Sequence, residues 1–419
     1  MKLNKVVITG IGAVSPFGNG VKSLSEGVFA NRSGISNIGA IWKESVSDIL
    51  CEVGGAISFD LHEKTIPRDI RRNMGRVSIL ACLAAREAAD MAGLTEEHFA
   101  SRDYGVSFGS TTGSSQAIID FTSRFVREKS LSSIKSGQFF QIMSHTAAAN
   151  IACYFNIKGR VLSPNSACSS AAQSIGLAYE AVKYGLQKGM ICGGAEELHV
   201  TTGATFDLLQ AASFHYNDRP DETPRPFDKD RDGTVCGEGG GALVLESEAS
   251  ARRRGARILG EIAGFATFSS GEHMSRVTEE GLVAGMERFF AEAGVSASEV
   301  DYINAHGTGT IVGDSEESIA LEKVFNSRGY HPYVSSLKGH LGHTLGASAA
   351  LELIVCLEMI GKGCLVPTKN LENPDPNCGA INYLREFKAV KPRLIMKDSF
   401  AFGGVNSILL LRSYDDGNQ

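Results

Sequence analysis

The second half of this chain repeats the order of its first half, and that repetition restricts the fold more than any other feature. An apolar strand, Lys5–Thr9, opens the first half, and Ile258–Ala266 opens the second. Tyr104–Phe108 runs into the turn Gly109-Ser-Thr-Thr-Gly-Ser, as Val300–Asn304 runs into Ala305-His-Gly-Thr-Gly-Thr. The extended pair Val161-Leu162 leads through Ser163-Pro-Asn to a small-residue helix, where Ile175, Ala178, Tyr179 and Val182 recur at helical spacing. Its counterpart is Tyr333-Val-Ser-Ser, the turn Lys338-Gly-His-Leu-Gly-His-Thr-Leu-Gly-Ala and the helix Ser348–Ile360. The strand Gly239–Glu246 is echoed by Leu394–Phe400, Gly403-Gly404 and Ser407–Leu411. Self-similarity over so long a period reads as a duplicated β/α unit, with halves 1–250 and 251–419 joined near Ala249–Ala256. The Arg252-Arg-Arg run at that joint reads as a solvated helix face. Packing two such halves together brings equivalent strand-to-helix elbows close in space. Turns at the ends of strands are where α/β sheets hold their sites.

The segments between these anchors fill in an α/β chain. Gly10-Ile-Gly12 reads as a turn and resembles a dinucleotide loop only superficially. A third glycine is missing at the required offset, and Pro16 interrupts where the helix should open. Helices are expected near Val21–Ala30, over Asn73–Ala92 (a close-packing, small-residue face), over Phe121–Arg127 and over Met143–Tyr154. Residues 38–70 read as irregular surface, Gly189–Gly193 as a short buried strand, and 214–237 as a long polar loop of the kind that carries function or contacts.

Bulk properties exclude several classes. A net charge of -6 lacks the basic excess of a nucleic-acid binder. Nine cysteines, scattered and without a CxxC pair, fit a reducing cytosol and neither a disulfide framework nor a zinc site. The apolar run after Met1 is too short for a signal peptide. No apolar stretch reaches membrane-spanning length. The expected location is the cytoplasm.

Cys168 sits at the first elbow, among small residues. A thiol at a helix N-terminus meets the positive end of the helix dipole, which favours the nucleophilic thiolate. On these residues alone a buried structural thiol is equally open. His306, His340, His343 and Lys338 lie on turns expected to converge on it, a Cys–His set of the kind used in nucleophilic catalysis. Zinc is the competing reading of His340 and His343. No carboxylate or cysteine lies near them at ligand spacing, so no metal is expected.

Four blocks carry a resemblance: Asn165-Ser-Ala-Cys-Ser-Ser, Asn304-Ala-His-Gly-Thr-Gly-Thr, Ser335-Ser-Leu-Lys-Gly-His-Leu-Gly-His-Thr-Leu-Gly-Ala and Ser399-Phe-Ala-Phe-Gly-Gly-Val-Asn. With Arg225-Pro-Phe-Asp-Lys-Asp-Arg-Asp-Gly, they resemble the β-ketoacyl-acyl-carrier-protein synthases from end to end, most closely the elongating synthase II type. The resemblance implies a thiolase-like α/β fold, duplicated in five alternating α-β-α-β-α layers, and a dimer. It implies decarboxylative condensation of an acyl thioester with malonyl-acyl-carrier protein, in fatty acid or polyketide chain elongation. No cofactor is implied, since the substrates bring phosphopantetheine on the acyl carrier protein.

By the same resemblance Cys168 is the acyl-accepting nucleophile. His306 and His343 assist decarboxylation and hold the enolate, and Lys338 orients or tunes them. The N–H groups of Cys168 and Phe402 form the oxyanion hole, with Phe402 gating on Gly403 and Gly404. Thr308 and Thr310 bind the pantetheine arm. Glu352 is a structural carboxylate near the site, and Arg68, Arg71 and Arg72 match a carrier-docking patch. The chain also departs from the family. His340 is an extra histidine whose plain reading is a surface or supporting residue. Ala401 stands where glycine is common and stiffens the gating loop. Thr112 replaces an isoleucine that often closes the acyl tunnel, and Gln210 replaces a basic residue often offered to the carrier. These departures keep open a dedicated polyene or polyketide ketosynthase in a heterodimer with a chain-length-factor subunit. A non-catalytic chain-length subunit is disfavoured by Cys168, and a thiolase by the lack of a second cysteine in Ser399–Asn406.

Overall fold

The structure is a computed structural model and describes residues 3–415 apart from 131, 133 and 272. The first half contributes β1 (Val6–Ser15), β2 (Tyr104–Gly109), β3 (Val161–Leu162), β4 (Gly189–Glu196) and β5 (Gly239–Ser247). They pair in the order β1-β5-β4-β2-β3, with β4, β2 and β3 parallel and the β1–β5 and β5–β4 pairs antiparallel. The second half contributes β6 (Gly260–Ser269), β7 (Tyr302–Asn304), β8 (Tyr333–Ser335), β9 (Asn382–Tyr383), β10 (Leu394–Ala401) and β11 (Val405–Arg412). Their order is β6-β11-β10-β7-β8-β9, with the same senses strand for strand. The two sheets join where β1 meets β6, at Val7↔Glu261 and Ile8↔Gly260.

Side-chain alternation along the strands builds the layers. In β4, Met190 and Cys192 face one core while Ile191 and Ala195 face another. In β11, Leu409 and Leu411 join that same first core while Ile408 and Leu410 turn to a third. The shared core lies between the sheets. It is filled by two helices, Ser170–Lys183 and Ser348–Lys362, whose Ala171, Ala172, Ala178, Ala349 and Ala350 let them lie close together. In chain order the helices used below are α1 (Arg76–Ala92), α2 (Ser115–Glu128), α3 (Thr146–Phe155), α4 (Ser170–Lys183), α5 (Glu279–Ala293), α6 (Ile311–Val324) and α7 (Ser348–Lys362). Helices α1 and α3 cover the outer face of the first sheet, and α5 and α6 that of the second. The result is five layers, α-β-α-β-α.

The structure corrects several local expectations. Gly10-Ile-Gly12 is not a turn: β1 runs straight through it to Ser15. Its glycines serve helix packing, since a Cβ at Gly10 would lie 2.0 Å from the Ala88 carbonyl oxygen and one at Gly12 2.1 Å from that of Ala84, both on α1. The strand that answers β5 is β11, while Leu394–Ala401 answers β4. Residues 38–70 are more than irregular surface, because Trp42, Val53 and Ile66 are buried and Ser36–Asn37 pairs with Val53–Gly54. The arginine run is not wholly solvated: its last member, Arg254, turns inward and donates to Glu246 at 3.0 Å and to the Ala92 carbonyl at 2.6 Å. Among the described residues no helix is long and apolar enough to cross a membrane.

Candidate functional site

The first elbow is a single tight turn, Ala167–Ser169, ahead of α4. Ala167 holds φ 47°, and the turn closes when Ser169 N–H donates to the Ser166 carbonyl at 3.0 Å. The Ser170 hydroxyl accepts from Ser166 N–H at 3.0 Å and donates to the Ala167 carbonyl at 2.7 Å. Ser169 Oγ ties the elbow to the second sheet by donating to the Ser399 and Val405 carbonyls at 2.9 and 3.0 Å. Cys168 is thus fixed from both halves. The expected thiolate is corrected here. Burial pushes the Cys168 thiol up to about 12, and the nearby Lys338 ammonium offsets this only in part. The thiol precedes the α4 N-terminus and lies in a dry site where a lone anion is costly.

His306 stands on the turn after β7. Two carboxylates of α6 hold that turn from beneath. Glu317 accepts from His306 and Gly307 N–H, both at 2.7 Å, and Asp314 accepts from Thr308 N–H at 2.9 Å and Gly309 N–H at 3.1 Å. The second elbow carries His343. Its N–H donates to the Val235 carbonyl at 2.7 Å, and its carbonyl accepts from Gly237 N–H at 2.9 Å. His343 Nδ1 lies 3.0 Å from Ser348 Oγ, which leaves Nε2 buried and without a protein partner among the described residues. The sulfur of Cys168 and one ring nitrogen each of His306 and His343 all lie within 4.8 Å of one another. The two imidazoles meet edge to face, centroids 5.3 Å apart at 87°. Phe400 packs 5.8 Å from His306.

A buried charge cluster backs the histidines. Lys338 Nζ donates to Glu352 Oε1 at 2.8 Å, and Lys397 Nζ lies 2.9 Å from Glu352 Oε2. Burial would raise the Glu352 carboxyl, but the two ammoniums outweigh it and hold the group low. Burial, with the Lys338 and Lys397 charges added, drives both His306 and His343 well below the usual imidazole range. Both rings are neutral at neutral pH. A cysteine and two histidines at this spacing could clasp a divalent metal. Two lysine cations behind them oppose that charge, and neutral imidazoles facing a thiol suit proton handling and oxyanion binding.

His340 does not join the cluster. It is fully buried rather than at the surface, and its Nε2 lies 3.0 Å from Asn31 Oδ1, so two histidines and not three converge. Thr308 is buried and Thr310 half-buried, their hydroxyls 3.0 Å apart. Phe402, Gly403 and Gly404 form the turn between β10 and β11, with φ 84° and 70° at the glycines. The Phe402 ring is 38 % exposed and rests 5.8 Å from Phe206. Ala401 is buried at the end of β10. Thr112 is exposed ahead of α2, its hydroxyl 3.2 Å from Ser115 Oγ. Arg68 and Arg72 are exposed and Arg71 half-buried on and beside the short helix Arg68–Arg71.

Sequence reasoning missed Lys397, Asp398, Glu317, Glu196 and Ser348. Lys397-Asp398 left a signal, two charges inside the mostly apolar, buried strand Leu394–Ala401. Glu196 closes β4 at the rim of the site. Its Oε2 accepts from Thr111 N–H at 2.8 Å and Gly346 N–H at 3.0 Å, and burial raises its carboxyl to about 7.

Two family models match the chain, beta-ketoacyl synthase N-terminal domain over residues 3–251 and C-terminal domain over residues 259–372. A 3-oxoacyl-[acyl-carrier-protein] synthase 2 of Synechocystis sp. is 33% identical over 417 residues, covering 99% of each chain. The crystal structure of a beta-ketoacyl synthase from Burkholderia phymatum superposes with a TM-score of 0.93 at 37% identity, covering 98% of this chain and 100% of that one. The ishigamide ketosynthase/chain length factor superposes with a TM-score of 0.89 at 31% identity, covering 99% and 100%.

Proposed function

Because this chain belongs to the β-ketoacyl synthase family, with its thiolase-like fold, we propose that it joins an acyl thioester to a malonyl group on acyl carrier protein. The products are a β-ketoacyl-acyl-carrier protein, CO2 and free carrier. The observation that carries the reading is the Cys168–His306–His343 cluster, with its reactive atoms within 4.8 Å of one another.

In the first half-reaction Cys168 Sγ attacks the acyl thioester carbonyl. Because the resting group is a thiol, its proton must leave as the bond forms. It passes to the departing carrier thiolate as the acyl group is transferred. The oxyanion of the tetrahedral intermediate is assigned to the N–H groups of Cys168 and Phe402. In the second half-reaction the malonyl C–C bond breaks and CO2 leaves with no proton to abstract from carbon. The enolate oxygen accepts N–H bonds from neutral His306 and His343. The enolate carbon then attacks the Cys168 thioester, the C–S bond breaks, the β-ketoacyl carrier is released, and the departing Cys168 thiolate takes one proton from solvent to return to the thiol. Ser348 Oγ beside His343 Nδ1 fits a tautomer that carries its proton on Nε2. Lys338 and Glu352 act behind the histidines as positioning residues.

Thr308 and Thr310 are assigned to the pantetheine arm, Phe402 with Gly403 and Gly404 to the gate, and Arg68, Arg71 and Arg72 to carrier docking. The half up to residue 250 is assigned the nucleophile, and the half from residue 251 the histidines, Lys338 and the gate. The chemistry needs no metal and no resident cofactor, and nine free thiols fit the cytoplasm. The enzyme acts as a dimer. A second reading, a polyketide ketosynthase paired with a chain-length-factor homologue, is favoured by the likeness to the ishigamide ketosynthase/chain length factor.

The test separates the half-reactions. Acyl-carrier protein should add one acyl mass to the protein, and Cys168→Ala should take up none; acylation of that variant would refute the assignment. His306→Ala and His343→Ala should slow CO2 release about 10²-fold or more while loading slows less. Equal loss in both steps would sink the division of labour.

A further inference from the structure

Lys397 is a fully buried lysine on β10 that the reaction above does not use. Its ammonium lies 2.9 Å from Glu352 Oε2 and 3.5 Å from the Asn304 carbonyl, and it donates to the carbonyl of Asp398. Glu352 is therefore held between two cations, with Lys338 on its other oxygen at 2.8 Å. The next side chain, Asp398, is fully buried, and neither carboxyl oxygen has a partner in hydrogen-bond geometry among the described residues, the His306 N–H that faces it being taken by Glu317. It lies against Glu317, whose two oxygens already accept the His306 and Gly307 N–H groups.

A buried carboxylate pair with no donor between its members is stable only if it shares a proton. Counted that way, the cluster balances: Lys338 and Lys397 carry two positive charges, against Glu352 and one charge on the Glu317–Asp398 pair. Lys397 joins Lys338 beside the His306 turn, since Asn304, whose carbonyl it approaches, ends β7 two residues before His306.

We propose that Lys397 is a positioning residue for the condensation: an internal counter-cation that fixes Glu352 and Lys338 and keeps His306 and His343 uncharged, with one proton shared between Asp398 and Glu317. The inference rests on the function proposed above. The ionisable groups around the two imidazoles are Lys397 and Asp398 on β10, Glu352 on α7, Glu317 and Asp314 on α6, Lys338 on the second elbow, Cys168 on the first and Glu196 on β4. Of these, only the two lysines carry the positive charge that opposes an imidazolium. Without Lys397 one of the two opposing charges is gone, and an imidazolium forms more readily.

The experiment measures CO2 release from malonyl-acyl-carrier protein from about pH 5 to about pH 8, with acyl loading of Cys168 measured in parallel. In the unsubstituted protein release should stay level on the acid side. In Lys397→Met the acid midpoint should rise by about one pH unit or more, with release down about tenfold at the acid end, while the loading profile keeps its shape. Lys397→Arg, which keeps the charge, should restore the level profile. A Lys397→Met enzyme that is less stable but has an unmoved profile would make Lys397 merely structural and overturn the proposal. If neither variant is soluble, ring-nitrogen NMR of the histidine-labelled unsubstituted protein decides. His306 and His343 should remain neutral near pH 5.5, and an imidazolium at about pH 6 overturns the proposal. Absence of CO2 release from the unsubstituted protein at any pH would instead refute the condensing function.

Discussion

The two elbows share one backbone and differ in chemistry. In the first, Ser166-Ala-Cys-Ser leads into Ser170 and α4; in the second, Thr344-Leu-Gly-Ala leads into Ser348 and α7. Both have a residue at φ 47°, Ala167 and Leu345. Both close with the same bond, Ser169 N–H to the Ser166 carbonyl at 3.0 Å and Ala347 N–H to that of Thr344 at 2.9 Å. The elbows also pack against each other. The residue equivalent to Cys168 is Gly346, and its N–H already donates to Glu196 at 3.0 Å. The helix-opening serine differs too: Ser170 bonds its own turn, whereas Ser348 faces His343. Duplication supplied a paired scaffold. One copy sets a thiol beside two histidines; the other gives up its side chain so that the thiol's surroundings can close.

The sharpest way to break this comparison is to give the second elbow a side chain. A Cβ at Gly346 would lie 2.6 Å from Glu196 Oε2, 2.8 Å from Thr111 N and 2.9 Å from Ser110 Cα. Gly346→Ala should therefore destabilise by about 3 kcal/mol through overpacking, while Cys168→Ala at the equivalent position should cost about 1 kcal/mol or less. Urea midpoints for the two variants check this. Equal costs would mean the elbows are interchangeable and the asymmetry is not structural.

Glu196 provides the next test. Its carboxyl sits at about 7 when folded, raised by burial from the ordinary 4.5. A raised acid contributes stability that is fully present below the unfolded value and lost as pH rises through the folded one. The penalty thus grows between pH 4.5 and about 7 and is constant above. Its size is on the order of 3 kcal/mol. Glu196→Gln keeps an oxygen for the Thr111 and Gly346 N–H groups and has no charge to bury, so across that window its urea midpoint should fall less than that of the parent. Parallel curves would show that Glu196 does not report on the second elbow.

Much of this arrangement was legible in the sequence, because repeats and turn chemistry are local properties. The order of strands, the small-residue helices and the elbow at Cys168 follow from period and composition. Gly10 and Gly12 misled because their glycines answer to α1 carbonyls nearly 80 residues away, which no local pattern encodes. His340 and His343 are three residues apart, yet the short helix Lys338–Leu341 sends one to Asn31 and the other to Cys168. The thiolate expectation failed for a related reason, since a helix end favours the anion but burial, visible only in three dimensions, outweighs it. Lys397 and Asp398 stood in plain view as charges in a buried strand, but their partners, Glu352 and Glu317, come from two different helices.

The smallest effect is expected at Ala167, and it bears on why the first elbow keeps a side chain ahead of its nucleophile. At φ 47° an L-residue is strained by about 1 kcal/mol, and Gly would relieve this. Gly also enlarges the freedom of the unfolded chain, which takes back about 0.5–1 kcal/mol. Ala167→Gly should thus shift stability by no more than about 0.5 kcal/mol in either direction. Leu345→Gly should not behave the same way. Leu345 is buried in the cluster that holds Cys168, Cys236 and Val235, and its loss removes packing worth about 2 kcal/mol or more. If both substitutions prove equally mild, the strained position serves the turn alone. If only Ala167 tolerates glycine, the second elbow is the buttress and the first is built to present Cys168.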